Sequence, residues 1–147
     1  MLRYRMRYQD GVNLYGKYVG NWGGTSTRWR FEAIVHGKCV KTVTKCPSAK
    51  LHMEVTPSAP ALKIGDTYDM AAVRIRILDE WGNAAPYAQL PLHFETDGAV
   101  ALLGPDNATA EGGMCGTYLR TIGKTGPGIL QITAPNLEPV TISITVE

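Results

Sequence analysis

The stretch Ala71–Thr96, AAVRIRILDEWGNAAPYAQLPLHFET, decides how this chain folds. Val73, Ile75 and Ile77 alternate with Arg74 and Arg76, and Leu90, Leu92 and Phe94 alternate with Pro91, His93 and Glu95. Each run therefore carries one apolar face, the pattern of a half-buried strand. Asp79 can hydrogen-bond its own backbone and Gly82 can take the positive φ of a tight turn. Asn83 to Ala88 nevertheless make the link longer than a minimal hairpin. Two geometries stay open: a hairpin within one sheet, or a corner between two sheets.

Working outward, Leu51, Met53 and Val55 form a short strand ending at Pro57-Ser58-Ala59-Pro60, and Ile64-Gly65-Asp66 turns the chain into the central pair. Val100 to Leu103 is a brief apolar strand broken by Gly104-Pro105-Asp106-Asn107. Thr117 to Ile122, Ile129 to Ala134 and Val140 to Val146 complete the set, the last with Val140, Ile142, Ile144 and Val146 set against Thr141, Ser143 and Thr145. Cys46-Pro47-Ser48 punctuates the chain, so residues 1–48 are expected as a smaller antiparallel β unit and residues 49–147 as a second domain. In the first unit, four strands are predicted: Leu2 to Tyr8, Val12 to Val19, Trp29 to Val35, and Cys39 to Lys45, the last two as a hairpin across Val35-His36-Gly37-Lys38. Trp29 and Phe31 fall on the inward face of their strand and are expected in the core. No segment shows a sustained helical period. With 16 Gly and 9 Pro bounding short strands, the pattern is all-β, an antiparallel sandwich preceded by a small sheet.

At 147 residues, 44% hydrophobic and 19% charged, the chain can fill a core. Its net charge of +2 favours neither nucleic acid nor an anionic membrane. Arg3, Arg5, Arg7, Arg28 and Arg30 sit at alternating positions, as on a solvated strand face. No apolar run is long enough to span a membrane, and MLRYRMRYQD holds no apolar signal core; an initiating Met running straight into alternation suggests a fragment of a longer protein. Gly20 to Ser26 is glycine-rich but lacks the GK[ST] ending of a phosphate loop. Cys39, Cys46 and Cys115 have no paired spacing, and His36, His52 and His93 are scattered, so neither zinc nor another cofactor is expected. Free thiols point to a reducing, cytoplasmic setting.

The order LHMEVTP, VRIRILDEWGNAAP, LHFETDG, GGMCGTYLRT and GKTGPGILQITAP over Leu51 to Val146 resembles bacterial immunoglobulin-like domains of the invasin and intimin type. This resemblance implies an immunoglobulin-like β-sandwich at residues 49–147. VNLYGKYVGNWGGTSTRWRFEAIVHGKCVKTV, with LHMEV and IGDTYDMAAVRIRILDEWGN, is similar to the C-terminal region of bacterial β-galactosidases of glycoside hydrolase family 2. That resemblance implies a bacterial accessory region downstream of a catalytic barrel, with the catalytic glutamates in the barrel and none here. Its partners would be the other domains of the parent glycosidase, with a homo-oligomer open.

The residues support the same expectation independently. Glycoside hydrolysis needs two carboxylates held about 5 to 10 Å apart in a cleft. Here Asp10, Asp66, Asp79, Asp97 and Asp106 fall at turns, where an acid caps its own backbone, while Glu32, Glu54 and Glu95 occupy outward strand positions. No Gly-x-Ser-x-Gly elbow occurs. Three roles are therefore weighed for this chain: a structural or assembly domain, a carbohydrate-binding module, and an adhesin-like spacer. For carbohydrate, the candidate stacking residues are Trp22 in the glycine-rich loop, Trp81 in DEWGN, Tyr87 beyond it, and Tyr15 and Tyr18 in the first unit. The competing role of each is packing on its own sheet or on a neighbouring domain.

Overall fold

In the computed structural model, which describes residues 5–20, 27–48 and 50–147, the chain divides into two units, Met1–Ser48 and Ala49–Glu147. The first unit holds α1 (Tyr8–Tyr18), β1 (Trp29–Val35) and β2 (Lys38–Lys45). The helix overturns the strand expected over Val12 to Val19. Asp10 accepts a hydrogen bond from the Arg7 N–H at 2.8 Å and so caps the first turn, which satisfies a donor that the helix itself leaves open. Gln9 and Asn13 join side chains one turn apart at 3.1 Å, and Tyr8, Val12, Tyr15 and Val19 recur at spacings of four, three and four, a helical stripe. The first expected strand fails as well: Arg5 turns the chain at φ 53° and Tyr8 already belongs to α1, while Leu2 to Tyr4 lie outside the described residues.

The hairpin is present as expected. Its connection is His36 at φ 48° and Gly37 at φ 76°, the two positive angles that a two-residue type I′ turn demands. A register shift after Ala33 leaves Val40 as an extra residue in β2. No residue of α1, β1 or β2 is buried, and Phe31 is 57% exposed. The core position expected for Trp29 and Phe31 is therefore not found. A helix and two strands enclose no interior of their own.

The second unit is a β-sandwich. Its strands are β3 (Leu51–Pro57), β4 (Ala61–Leu62), β5 (Met70–Asp79), β6 (Leu90–Gly98), β7 (Val100–Leu102), β8 (Asn107–Ala110), β9 (Met114–Thr121), β10 (Gly126–Thr133) and β11 (Val140–Val146). One sheet has the order β3-β5-β9-β7 and the other β4-β11-β10-β6-β8. β5 and β6 thus lie in different sheets, and the central connection is the corner rather than the hairpin. The chain changes sheet earlier too, between β3 and β4, across Pro57-Ser58-Ala59-Pro60, where the prolines withhold ladder donors. All pairings are antiparallel except β4 with β11, where Thr145 meets Ala61 and Val146 meets Leu62 in parallel. β8 was not foreseen; it pairs with β6 through His93 opposite Asn107.

Alternation does the rest. Met53, Val73, Ile75, Ile77 and Leu119 from one sheet meet Leu92, Phe94, Leu130, Ile132, Ile144 and Val146 from the other in a single buried cluster. Burying each large aliphatic side chain contributes about 1.5–3 kcal/mol. One close approach sets the packing at the β6–β10 end. A Cβ on Gly128 would stand 2.5 Å from Val100 Cγ1, and one on its cross-strand partner Gly98, held at φ 79°, would strike the Pro127 carbonyl.

Gly128→Ala should lower the unfolding free energy by about 1–3 kcal/mol through overpacking. Adding Val100→Ala should make the double variant less destabilised than the sum of the two single changes. Urea unfolding of the four proteins checks this, and strict additivity would show that the contact does not limit the site.

Candidate functional site

The corner between β5 and β6 is built on one carboxylate. Asp79, only 8% exposed, receives the Trp81 N–H at 2.9 Å and the Asn83 N–H at 2.8 Å on Oδ1. The Asn83 amide donates to both of its oxygens, at 3.1 and 2.9 Å. The backbone closes the same ring: Gly82 N–H donates to Asp79 O at 3.0 Å, and Asp79 N–H to Asn83 O at 2.8 Å. Gly82 takes φ 76°, as the turn requires. A second glycine secures the far side. Gly113, at φ 74°, donates to Ala88 O and accepts from Ile77 N–H, and any Cβ there would strike the Ala85 carbonyl. The connection is long, yet its backbone is tied down at both ends.

Two of the expected stacking residues ride on this corner. Trp81 is 37% exposed and Tyr87 is 64% exposed. Tyr15 and Tyr18 lie instead on α1, three residues apart and so on neighbouring positions of one side. Tyr15 O caps the helix by accepting Val19 and Gly20 N–H at 2.8 Å each, and Lys17 Nζ stands 5.0 Å from the centre of the Tyr18 ring. Trp22 lies outside the described residues. The four described stacking candidates thus divide between the units, two on each.

The acids behave as turn residues. Asp97 accepts from Gly98 N–H, and Asp69 from Lys63 and Met70 N–H, so these carboxylates serve the backbone around them. Among the described residues no group of three His, Cys, Asp or Glu is placed to hold a metal ion. No disulfide joins Cys39, Cys46 or Cys115. Burial raises the Cys115 thiol pKa.

Among the described residues, depressions open on both sheets of the sandwich. One, of about 330 Å³, lies beside His93 and Asn107 on the five-stranded sheet. The His93 ring meets Asn107 Oδ1 at 3.0 Å and Glu95 Oε1 at 3.4 Å. Another, of about 550 Å³, is a furrow on the four-stranded sheet whose lining includes Ala72, Arg74, Gly116 and Tyr118. Its size falls within the range of small-ligand clefts. Sequence reasoning missed Tyr118; the only signal was an aromatic at an outward position of a strand.

A protein-family model described as glycoside hydrolase family 2 C-terminal domain 5 matches residues 53–143. A β-galactosidase of Thermoanaerobacter pseudethanolicus is 31% identical over 98 residues, which is 67% of this chain and 13% of that protein. The chain thus spans about an eighth of that relative's length. Among solved structures, a β-glycosidase from Bacteroides vulgatus superposes with a TM-score of 0.68 at 22% identity, covering 83% of this chain and 18% of its own. A glycosyl hydrolase family 2 member from Bacteroides cellulosilyticus gives 0.65 at 16% identity, covering 82% and 17%. These structures share the fold. The likeness to the first covers more than the 99 residues of the second unit could supply, so it extends into the first.

His93 offers a local test of the geometry. Its pKa is raised above the ordinary imidazole value, first by the hydrogen bond with Asn107, then by Glu95 and Asp106, against a desolvation that lowers it. A raised folded-state pKa means that the interaction stabilises fully below the unfolded value of about 6.5 and fades as pH rises through the folded one. The His93 ring-proton resonance should therefore titrate above that value, and Asn107→Ala should move the midpoint down. A midpoint indifferent to Asn107 would remove the stated cause.

Proposed function

The chain belongs to the glycoside hydrolase family 2 C-terminal domain 5 family, and from that membership we propose that it is a noncatalytic accessory region of a longer glycosidase. The parent is a β-galactosidase that hydrolyses terminal β-galactosides through a catalytic barrel elsewhere in its polypeptide. The role of this region is structural, in the assembly of the enzyme's domains. The observation that carries the reading is the contrast between the two units. The second unit fills its own core, whereas the first exposes Phe31, Ile34, Val35 and Val40, and none of its described residues is buried. Such a hairpin needs a covering surface, and a larger enzyme supplies one. The turn-bound aspartates favour the noncatalytic role, since a carboxylate committed to backbone donors is a poor general acid.

The test compares the full-length polypeptide with the same polypeptide lacking residues 49–147, and with the present chain alone. The full-length protein should hydrolyse a chromogenic β-galactoside and the present chain should not. The truncated protein should lose thermal stability or soluble yield while any folded fraction keeps its KM. Hydrolysis by the chain alone, or a truncated enzyme of undiminished stability, would overturn the proposal.

A second reading, a carbohydrate-binding module, is favoured by the exposure of both Trp81 and Tyr87 on one tethered connection. Exposed rings on a fixed backbone suit stacking on pyranose faces. In this reading, titration with galactose, lactose or β-galactan fragments saturates a change in tryptophan fluorescence that Trp81→Ala abolishes. A flat response up to millimolar sugar, with the variant folded, would rule it out.

A further inference from the structure

The two outer faces of the sandwich differ in chemistry, although neither forms part of its core. Across β10 and β11 the outward pairs are Pro127 with Thr145, Ile129 with Ser143, and Gln131 with Thr141, and β6 adds His93, Glu95 and Asp97. That is mainly the composition of a solvated sheet. Across β5 and β9 the outward pairs are Met70 with Arg120, Ala72 with Tyr118, Arg74 with Gly116, and Arg76 with Met114. Met70 is 46%, Tyr118 50% and Met114 56% exposed. Met, Tyr and Arg are enriched where proteins meet, and Glu, Asp and Ser are depleted.

The charge on this face is one-sided. Arg76 Nη1 reaches Glu54 Oε1 at 3.2 Å, and Arg120 lies 5.8 Å from the centre of the Tyr68 ring. Arg74 makes no ion pair among the described residues. Three guanidinium groups thus stand against one carboxylate. A second copy docked by the same face would set arginine rows against each other, which like charges oppose. A single sugar ring could fill the furrow but would leave Met70 and Met114 uncovered, at opposite ends of about 20 Å of strand.

We propose that the outer face of the four-stranded sheet docks on a folded domain of the same longer polypeptide, one that presents carboxylates around an apolar centre and seats a side chain in the furrow between Ala72 and Gly116. This rests on the accessory-region reading above and names the face that reading left open. The furrow opens where Ala72 and Gly116, diagonal neighbours across β5 and β9, carry small or no side chains, while their cross-strand partners Tyr118 and Arg74 also line it. Arg74 and Arg76 supply the donors that fix the partner's carboxylates.

The experiment uses the full-length polypeptide with a photo-reactive benzoylphenylalanine in place of Tyr118 or, as a control on the opposite face, of Ser143. Cross-linked peptides are mapped by mass spectrometry. The expected result is an intramolecular cross-link from position 118 to an Asp- or Glu-containing segment outside residues 1–147, at several times the yield from position 143. Arg74→Glu in the same protein should cut that yield at least fivefold with the melting temperature unchanged. A yield no higher than the control, a cross-link between two copies, indifference to Arg74→Glu, or protection by millimolar galacturonate would each overturn the proposal. β-Galactosidase activity of the same preparation separates the two ideas. Active enzyme without the cross-link sinks the docking face alone, and the cross-link in an inactive polypeptide sustains the face while sinking the glycosidase reading.

Discussion

Between β5 and β6 the chain must leave one sheet and enter the other, and the carboxylate of Asp79 shapes that passage. It gathers two backbone N–H groups and the Asn83 amide at the end of a strand that is itself buried. A nearly buried anion is tolerable only when donors surround it, and here they are the turn's own. Because β5 is the most fully buried strand of its sheet and β6 pairs with both β8 and β10, an error at this corner would misplace the core halves on either side. Gly113 completes the arrangement from β9's side, where its lack of a Cβ lets two backbones touch.

Much of this was legible in the residues. Period-two alternation marked β3, β5, β6 and β11 because each presents one face to a common core, and glycine and proline marked the turns. The choice between hairpin and corner was not legible, since it depends on which partner strand β6 finds, a non-local event. The helix α1 was missed although its stripe of Tyr8, Val12, Tyr15 and Val19 is visible. Two glycines and several β-favouring residues argued the other way, and the Asp10 cap tips so short a segment. β8, only four residues long, carries too little pattern to register.

The candidate site was less legible for a different reason. Alternation tells which side of a strand is apolar but not what covers it. Trp29 and Phe31 therefore read as core and stand exposed, while Tyr118, which the alternation does not single out, borders a furrow. Trp81 and Tyr87 were singled out because turn chemistry isolates them from either face. What a surface meets is a property of a second body, and one chain's periodicity carries no record of it.

The bare hairpin of the first unit has a consequence for the life of the protein in a cell. With no covering surface, the hairpin would present Phe31, Ile34 and Val40 to solvent from a short two-stranded sheet. Chaperones and degradative proteases recognise such apolar segments. Quality control, rather than any regulatory ligand, would then clear fragments of the longer polypeptide that keep this hairpin and lose the surface over it.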